Sequence, residues 1–446
     1  MTHEATATGW CALRWPPRVA ALAVVASAVF AIPASAQAVI PLDPHFSRWV
    51  RENAIPLRPV DDPYADDSYA FLRPLIGNAR LLALGENIHG GHEPLAFRNH
   101  VIRYAVSQLG FTAVAIESGF TEGILIDRFI QGGPGDVDSV TRAGISYGFG
   151  ELRENRELVL WLRAHNENAA HKVHFYGIDQ TGVGDPKYSG ATAVEAALAF
   201  LEQVDPAGAQ HRSRLVPMLD RFSAVRYSQF SAAERVELRR ALGLLERALI
   251  ANSVRFARAT SQEELALAVR NAWAALRLEQ SFAVSGTEGP RALAAIRLRD
   301  SVMAENTKWI LQQTGPEGRA VVFAHNGHSM NVPMTFPAMG PPMTMMGQRL
   351  RRAFGARMRI IGTASATYTG LGNVPHDMST FEVALARAGT PNYALDLRTG
   401  DRVPAVAATL RMHWLTRLHA WFQPIVPRDV ADIIVVFDKI TASRER

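Results

Sequence analysis

Six short runs of apolar, largely β-branched residues punctuate this chain, and most are separated by stretches with helical spacing. The runs are Arg80–Leu84, Thr112–Ile116, Lys172–Ile178, Ala320–Ala324, Met358–Gly362 and Asp432–Phe437. The segments Pro94–Leu109, Glu122–Ile130 and Glu154–Asn166 repeat apolar residues at helical intervals. Strands that alternate with helices of this length are best accommodated in a parallel sheet, because each helix carries the chain back to start the next strand. Near-continuous apolar character fits strands buried on both faces. The expected fold is α/β, a mostly parallel central sheet flanked by helices.

Residues 190–313 break this rhythm. Ala191–Val204, Ser231–Ala251, Gln262–Phe282 and Pro290–Gln313 all read as helix, with no strand between them. An inserted all-helical subdomain is expected there, dividing the α/β core into a first part, 37–189, and a second, 314–446. Asn331–Met346 is rich in Met and Pro and reads as a lid-like loop. Its methionines (Met334, Met339, Met343, Met345, Met346) are adaptable apolar groups suited to a large ligand, and equally to irregular packing.

Residues 1–36 are excluded from the fold. Arg14 and Arg18 precede the apolar stretch Val19 to Ile32, and an Ala-Ser-Ala end follows. This is the pattern of a secretory signal peptide cleaved after Ala36. The apolar stretch is shorter than the roughly 20 residues of a membrane span. The mature protein is therefore expected in the periplasm or secreted, with no membrane association. The single cysteine, Cys11, leaves with the signal, which removes disulfides, thiolate nucleophiles and cysteine metal ligands from consideration. The net charge is +5, carried by scattered arginines and only four lysines. No basic run interleaved with aromatics appears, which argues against nucleic acid as a partner; no protein partner is implied either.

The chemistry lies where the strands end. The first run leads into Gly85-Glu86-Asn87-Ile88-His89, the second into Glu117-Ser118-Gly119, the third into Asp179-Gln180, and the fourth into His325-Asn326-Gly327-His328. Ligands of open α/β sheets bind outside the carboxyl ends of the strands. Four strands each delivering an ionisable group to that edge is an unusual coincidence for structure alone. The helix after the first strand adds Arg98, at the centre of its apolar face, where a guanidinium needs a carboxylate or a polar cavity. With Glu86 fixing its tautomer, His89 is expected to deprotonate a water. Arg98 and His325 would stabilise the oxyanion, and His328 would protonate the leaving alcohol. His92, Glu93, Asp179, Asn326, His328 and Met346 are the expected substrate contacts. Arg299, Met303, Asn306 and Ile310 share one helical face, from which Arg299 or Asn306 could reach the site or pair structurally.

Two other chemistries use these residues or their neighbours. His89, His92, Glu117, Asp179, His325 and His328 could hold a divalent metal, although H-x-x-H-E is neither of the usual zinc-hydrolase spacings. The expected cofactor is none, with a metal as the alternative. Gly144-Ile145-Ser146-Tyr147-Gly148 matches G-x-S-x-G, but the residues before it are too polar for the strand that a nucleophile elbow requires.

The motifs GENIHGGHE, FRNHVIRYAVSQLGF, AIESGFTEG, NRELVLWLRAHN, FYGIDQ, RDSVMAENTKWIL, AHNGHSM and DIIVVFD occur in this order. Together they resemble the erythromycin esterase family. The resemblance implies a mostly parallel α/β core with a helical insertion. It also implies hydrolysis of an ester or macrolactone by activated water, with His89 as base and Glu86, Arg98, Glu117 and His325 around it. Members of that family usually carry a tryptophan just before the N-x-E helix. Gly148–Arg153 has none here, so the pocket lining is expected to differ. A ligand-binding protein of the same fold is the non-enzymatic alternative.

Overall fold

The computed structural model describes residues 42–444 apart from 185–186, 207, 286–288, 336–340, 373, 375–376 and 419–420. The expected signal segment and Met339 lie outside the described residues. Twelve strands occur in the order β1 (Ile55–Pro56), β2 (Leu81–Glu86), β3 (Ala113–Gly119), β4 (His174–Asp179), β5 (Ala320–His325), β6 (Met358–Ala364), β7 (Tyr368–Thr369), β8 (Tyr393–Asp396), β9 (Trp414–Leu418), β10 (Trp421–Ile425), β11 (Ile433–Val436) and β12 (Ile440–Thr441). Eight of them form the central sheet, ordered β1-β8-β11-β6-β2-β5-β3-β4. All six apolar runs are strands, and their pairings with one another are parallel. The antiparallel edge of β8 and β1 was not anticipated. These strands are only four and two residues long, too short for a clear periodic signal.

Alternate residues of each buried strand feed two separate cores. Leu81 and Ala83 of β2, with Ala115 of β3 and Val322 of β5, pack against Phe46, Trp49, Met303 and Ile310. Leu82 and Leu84, with Val114, Ile116, Val321 and Phe323, face Val101, Ile102 and Ala105 of the His92–Leu109 helix. Each fully buried Leu, Ile or Phe contributes about 1.5–3 kcal/mol relative to exposure. Helices on both faces therefore explain why the strands carry so little polarity.

Between β4 and β5 only helices and loops occur among the described residues, and they enclose an apolar cluster of their own. The last of these helices, Gly289–Gln313, returns to the sheet and packs along β4. In its described part, the expected lid is held by a single antiparallel bridge. Met334 and Met343 exchange backbone hydrogen bonds of 3.0 and 2.8 Å, and Met334, Met343 and Met345 are buried with Leu293. No helix among the described residues is long and apolar enough to cross a membrane.

The order of winding decides where a ligand can sit. From β2 the chain moves outward to β3 and β4; β5 then inserts beside β2, and the chain continues on the other side to β6 and β11. The direction reverses at the β2–β5 pair, and such reversals open a crevice at the carboxyl ends of the strands.

Candidate active site

The four strands whose ends carry ionisable groups are consecutive neighbours, β2-β5-β3-β4. Glu86 and His325 are register partners at the last rung of the β2–β5 ladder. The β2 end is built tightly. A Cβ on Gly85 would sit 2.1 Å from Asn326 Oδ1 and 2.7 Å from Ser329 Oγ, so only glycine lets the turn after β5 pass beside β2. Asn87 anchors the other side, donating its backbone N–H to Thr363 Oγ1 at 3.0 Å.

His89 lies 2.6 Å through Nδ1 from Glu86 Oε1. The neutral ring donates Nδ1–H to the carboxylate, so its lone pair is on Nε2. Burial alone lowers the basicity of this imidazole, but the hydrogen bond and charge of Glu86, with Glu117 behind it, outweigh burial and raise its pKa. The His89 side chain is 28% exposed while Glu86 is 5% exposed, so the imidazole is open to solvent and its carboxylate partner is not.

His325 caps the short Asn326–Ser329 helix, where Nδ1 accepts the Gly327 N–H at 3.1 Å. That bond fixes the ring proton on Nε2. The ring centre is 4.9 Å from that of His89, so a lone pair and an N–H belong to neighbouring rings. The His325 backbone N–H donates to Glu117 Oε2 at 2.9 Å, which ties the ends of β5 and β3 together.

Behind the histidines lies a charge network centred on Arg299. Its Nη2 donates to Glu117 Oε1 at 2.7 Å and to Asp179 Oδ2 at 2.6 Å, and its Nε lies 3.0 Å from both Asp179 oxygens. The Tyr147 hydroxyl donates to Asp179 Oδ2 at 2.6 Å. Burial pushes Glu117 upward, but His328, Arg299 and His89 together with the His325 N–H reverse this and hold it ionised far below the usual carboxylate range. His328 directs Nδ1 at Asp300, at 3.0 and 3.1 Å, and Nε2 lies 3.2 Å from Arg299 Nη1 and 3.5 Å from Glu117 Oε1. The neutral ring accepts from Arg299, and the protonated ring faces Glu117. Burial opposes protonation, but Asp300 and Glu117 overcome it and raise the pKa.

Several expected site residues are placed differently. Arg98 is buried at the centre of its helix face, as the pattern required, but its Nε and Nη2 hydrogen-bond Asn99 Oδ1 at 3.1 and 2.8 Å and its guanidinium lies 4.7 Å from the Phe323 ring centre. Burial lowers its pKa to about 10, with Glu86 and Glu154 opposing the shift. It therefore acts on Glu86 as a nearby charge, not through a hydrogen bond. His92 joins Glu154 at 2.6 Å and Asp61 at 3.1 Å, while Glu93 accepts the Thr441 N–H and hydroxyl at 2.7 and 2.9 Å. Glu93 thus ties β12 to the start of this helix, and both His92 nitrogens are taken up by carboxylates. Met346 is fully buried in the core, and its backbone N–H donates to Asp300 at 2.9 Å. Asn326 binds the Thr363 carbonyl at 2.9 Å. Ser146 follows the Val137–Gly144 helix, not a strand, and its buried Oγ accepts the Gly119 N–H at 2.9 Å.

Sequence reading gave no role to Asp300, Tyr147 or Phe149 and left that of Arg299 undecided. The helical face of Arg299, Met303, Asn306 and Ile310 was the available signal for the arginine, and that face does pack on the sheet. Tyr147 has the left-handed φ of 63°, a conformation that costs a non-glycine residue about 1–3 kcal/mol and recurs at functional sites. The Phe149 ring lies 5.3 Å from that of His89, so an aromatic side chain stands beside the imidazole in the stretch that lacks tryptophan. Among the described residues, the group of His and acidic side chains converging within 4.8 Å is Asp127, His174 and Glu263. It includes none of the rim residues, and His174 starts β4, the end opposite Asp179.

Comparison with known proteins agrees with this architecture. Erythromycin esterase type II of Escherichia coli is 29% identical over 338 residues, covering 73% of this chain and 78% of its own. Erythromycin esterase type I of Escherichia coli is 22% identical over 287 residues, 60% of this chain and 66% of its own. Among solved structures, a Bacillus cereus protein has a TM-score of 0.77 at 19% identity, covering 91% of this chain and all of its own. A mutant erythromycin esterase in its open conformation has a TM-score of 0.66 at 16% identity, covering 85% of this chain and 95% of its own. The erythromycin esterase family model matches residues 106–440, from the helix after β2 through to β12, and the chain belongs to that family.

Proposed function

We propose that this protein is an ester hydrolase that opens a lactone, a macrolactone of the kind named in its relatives being the first candidate, by direct attack of water. His89 Nε2 takes a proton from the water as its oxygen bonds to the carbonyl carbon, and Glu86 stabilises the imidazolium that forms. The tetrahedral oxyanion accepts a hydrogen bond from His325 Nε2–H. Collapse breaks the bond from the carbonyl carbon to the alkoxy oxygen. His328, held by Asp300, returns a proton to that oxygen, releasing a hydroxy acid with no covalent enzyme intermediate. A positioned base of this kind supplies about 10²–10⁴-fold in rate.

The observation that supports this reading most directly is the Glu86–His89 contact of 2.6 Å, with a second imidazole whose ring proton is on Nε2 only 4.9 Å away between ring centres. The His89→Ala variant, folded by circular dichroism, should add no water to erythromycin or a simpler macrolactone by mass spectrometry. Full activity in that variant removes the base. A metal-dependent route would instead lose activity in EDTA and regain it with one divalent ion. Export is part of the same proposal: a periplasmic product starting at Gln37 supports it, and an intact start excludes it.

A further inference from the structure

The group of Asp127, His174 and Glu263 takes part in none of the steps above. It sits at the start of β4, an edge strand of the central sheet, and brings together three separate segments. Asp127 belongs to the Phe120–Ile130 helix, and His174 is the first residue of β4. Glu263 lies in the first turn of the Gln262–Val284 helix, one of those between β4 and β5. One ligand atom from each residue lies within 4.8 Å of the other two.

The Asp127–His174 half of the group is held in place. Asp127 Oδ1 accepts the Phe175 N–H at 2.8 Å and Gln131 Nε2–H at 3.3 Å, which leaves Oδ2 facing His174 Nδ1 at 3.2 Å. Carboxylates that bind metal are usually oriented by outer hydrogen bonds of this kind. Glu263 approaches the pair yet forms no hydrogen bond or ion pair among the described residues. Two carboxylates facing one imidazole keep a net negative charge whether the ring is neutral or protonated. The nearby cation, Lys172, places its Nζ 3.5 Å from the Gln131 carbonyl. A bound cation removes the repulsion and uses all three side chains. We propose that Asp127, His174 and Glu263 hold a divalent transition-metal ion of the zinc type.

The donor set selects that class. One imidazole nitrogen with two carboxylate oxygens suits zinc and its first-row neighbours, whereas calcium and magnesium take oxygen ligands. Bonds of about 2.0–2.2 Å set the donors of a tetrahedral site about 3.3–3.6 Å apart. The Asp127–His174 pair is already close to this spacing, and Glu263 reaches it by a swing of roughly 1 Å of an exposed side chain. His174 is 34% exposed, so water can fill the remaining coordination position. The ion would tie the helices between β4 and β5 to the sheet, at the end of β4 away from the rim, and stabilise the chain without entering the ester chemistry.

The site is independent of the ester-hydrolase reading, and its test uses the metal alone. Metal-free protein is titrated with zinc chloride in a calorimeter, as wild type, His174→Ala and Glu263→Gln. Wild type should bind zinc with micromolar affinity. His174→Ala should lose that binding, and Glu263→Gln should weaken it by about tenfold or more. Saturating zinc should also raise the Tm of wild type by about 2 °C or more, and this shift should be lost in His174→Ala. Glu263→Gln, a change at an exposed position, decides the matter where His174→Ala fails to fold. Wild type that binds no zinc overturns the site. Zinc bound by Glu263→Gln at full affinity, as it would be by the histidines of the rim, overturns it too.

Discussion

Replacing Arg299 with methionine should leave two buried carboxylates without the guanidinium that pairs them. The guanidinium contacts Glu117, whose side chain is 9% exposed, and Asp179, which is fully buried. Two opposite charges 4 Å apart interact by about 4 kcal/mol at an effective dielectric constant of 20. Removing one member of a buried pair costs about 3–5 kcal/mol, because the remaining charge is left uncompensated. Methionine keeps much of the volume, so the loss is electrostatic in origin. Its dependence on pH gives the sharper test. In the wild type Glu117 titrates well below its ordinary range, so its contribution is full above the unfolded pKa and fades as pH falls through the folded one. Without Arg299, burial weighs more heavily on Glu117, but His328, His89 and the His325 N–H still favour its ionised form, so its pKa rises only part of the way back. The stability lost with the guanidinium is therefore fully expressed at neutral pH and diminishes only in acid, as Glu117 is protonated in the variant before the wild type. Urea midpoints should show a stability deficit of about 3–5 kcal/mol at pH 7.5. A deficit below about 1 kcal/mol, or one that grows on acidification, would refute the assignment of Arg299 as a neutralising partner.

The raised pKa of His89 places the acid limb of kcat/KM above pH 6.5, because the base must lose its proton to act; the raised pKa of His328 gives an alkaline limb as the donor is lost. An acid limb near the ordinary carboxylate range would contradict His89 as base, and the absence of an alkaline limb would contradict His328 as donor. Gly85→Ala should lower stability by about 1–3 kcal/mol, seen as a fall in Tm, because its Cβ enters the space of Asn326 Oδ1; an unchanged Tm counts against the close approach. Glu93→Ala should cost about 1–2 kcal/mol through the lost Thr441 tie while kcat/KM stays within about threefold, and a large loss of activity would return Glu93 to the cleft.

The legible part of this protein was its periodic part. Runs such as Leu81–Leu84 and Ala113–Ile116 are buried on both faces, so their composition alone marks them as interior strands. The strand Tyr393–Asp396 is buried as well, but four residues are too few for a clear periodic signal, and it passed unnoticed. The polar helix Val137–Gly144 also went unassigned, because it buries only one side. Within the site, Glu86 and His89 were readable because three residues separate them and local geometry brings them together. Arg299 and Asp179 are 120 residues apart, and no local rule connects them.

His92 and Glu93 show the limit in the other direction. Their positions beside the motif suggested the cleft, yet the helix they begin points them at Glu154 and Thr441. Arg98 was rightly expected to be buried, but not to find its acceptor in the adjacent Asn99.

The sequence by itself determined that six apolar runs become strands, because they are buried along short contiguous stretches, and that four of them end in ionisable groups. Only the tertiary structure decided that β2, β5, β3 and β4 are neighbours, that Arg299 crosses their ends, and that His325 carries its proton on Nε2. Those outcomes depend on strand order and on hydrogen bonds between segments remote along the chain, and contacts of that kind are fixed by the competition for a shared core, not by any local pattern.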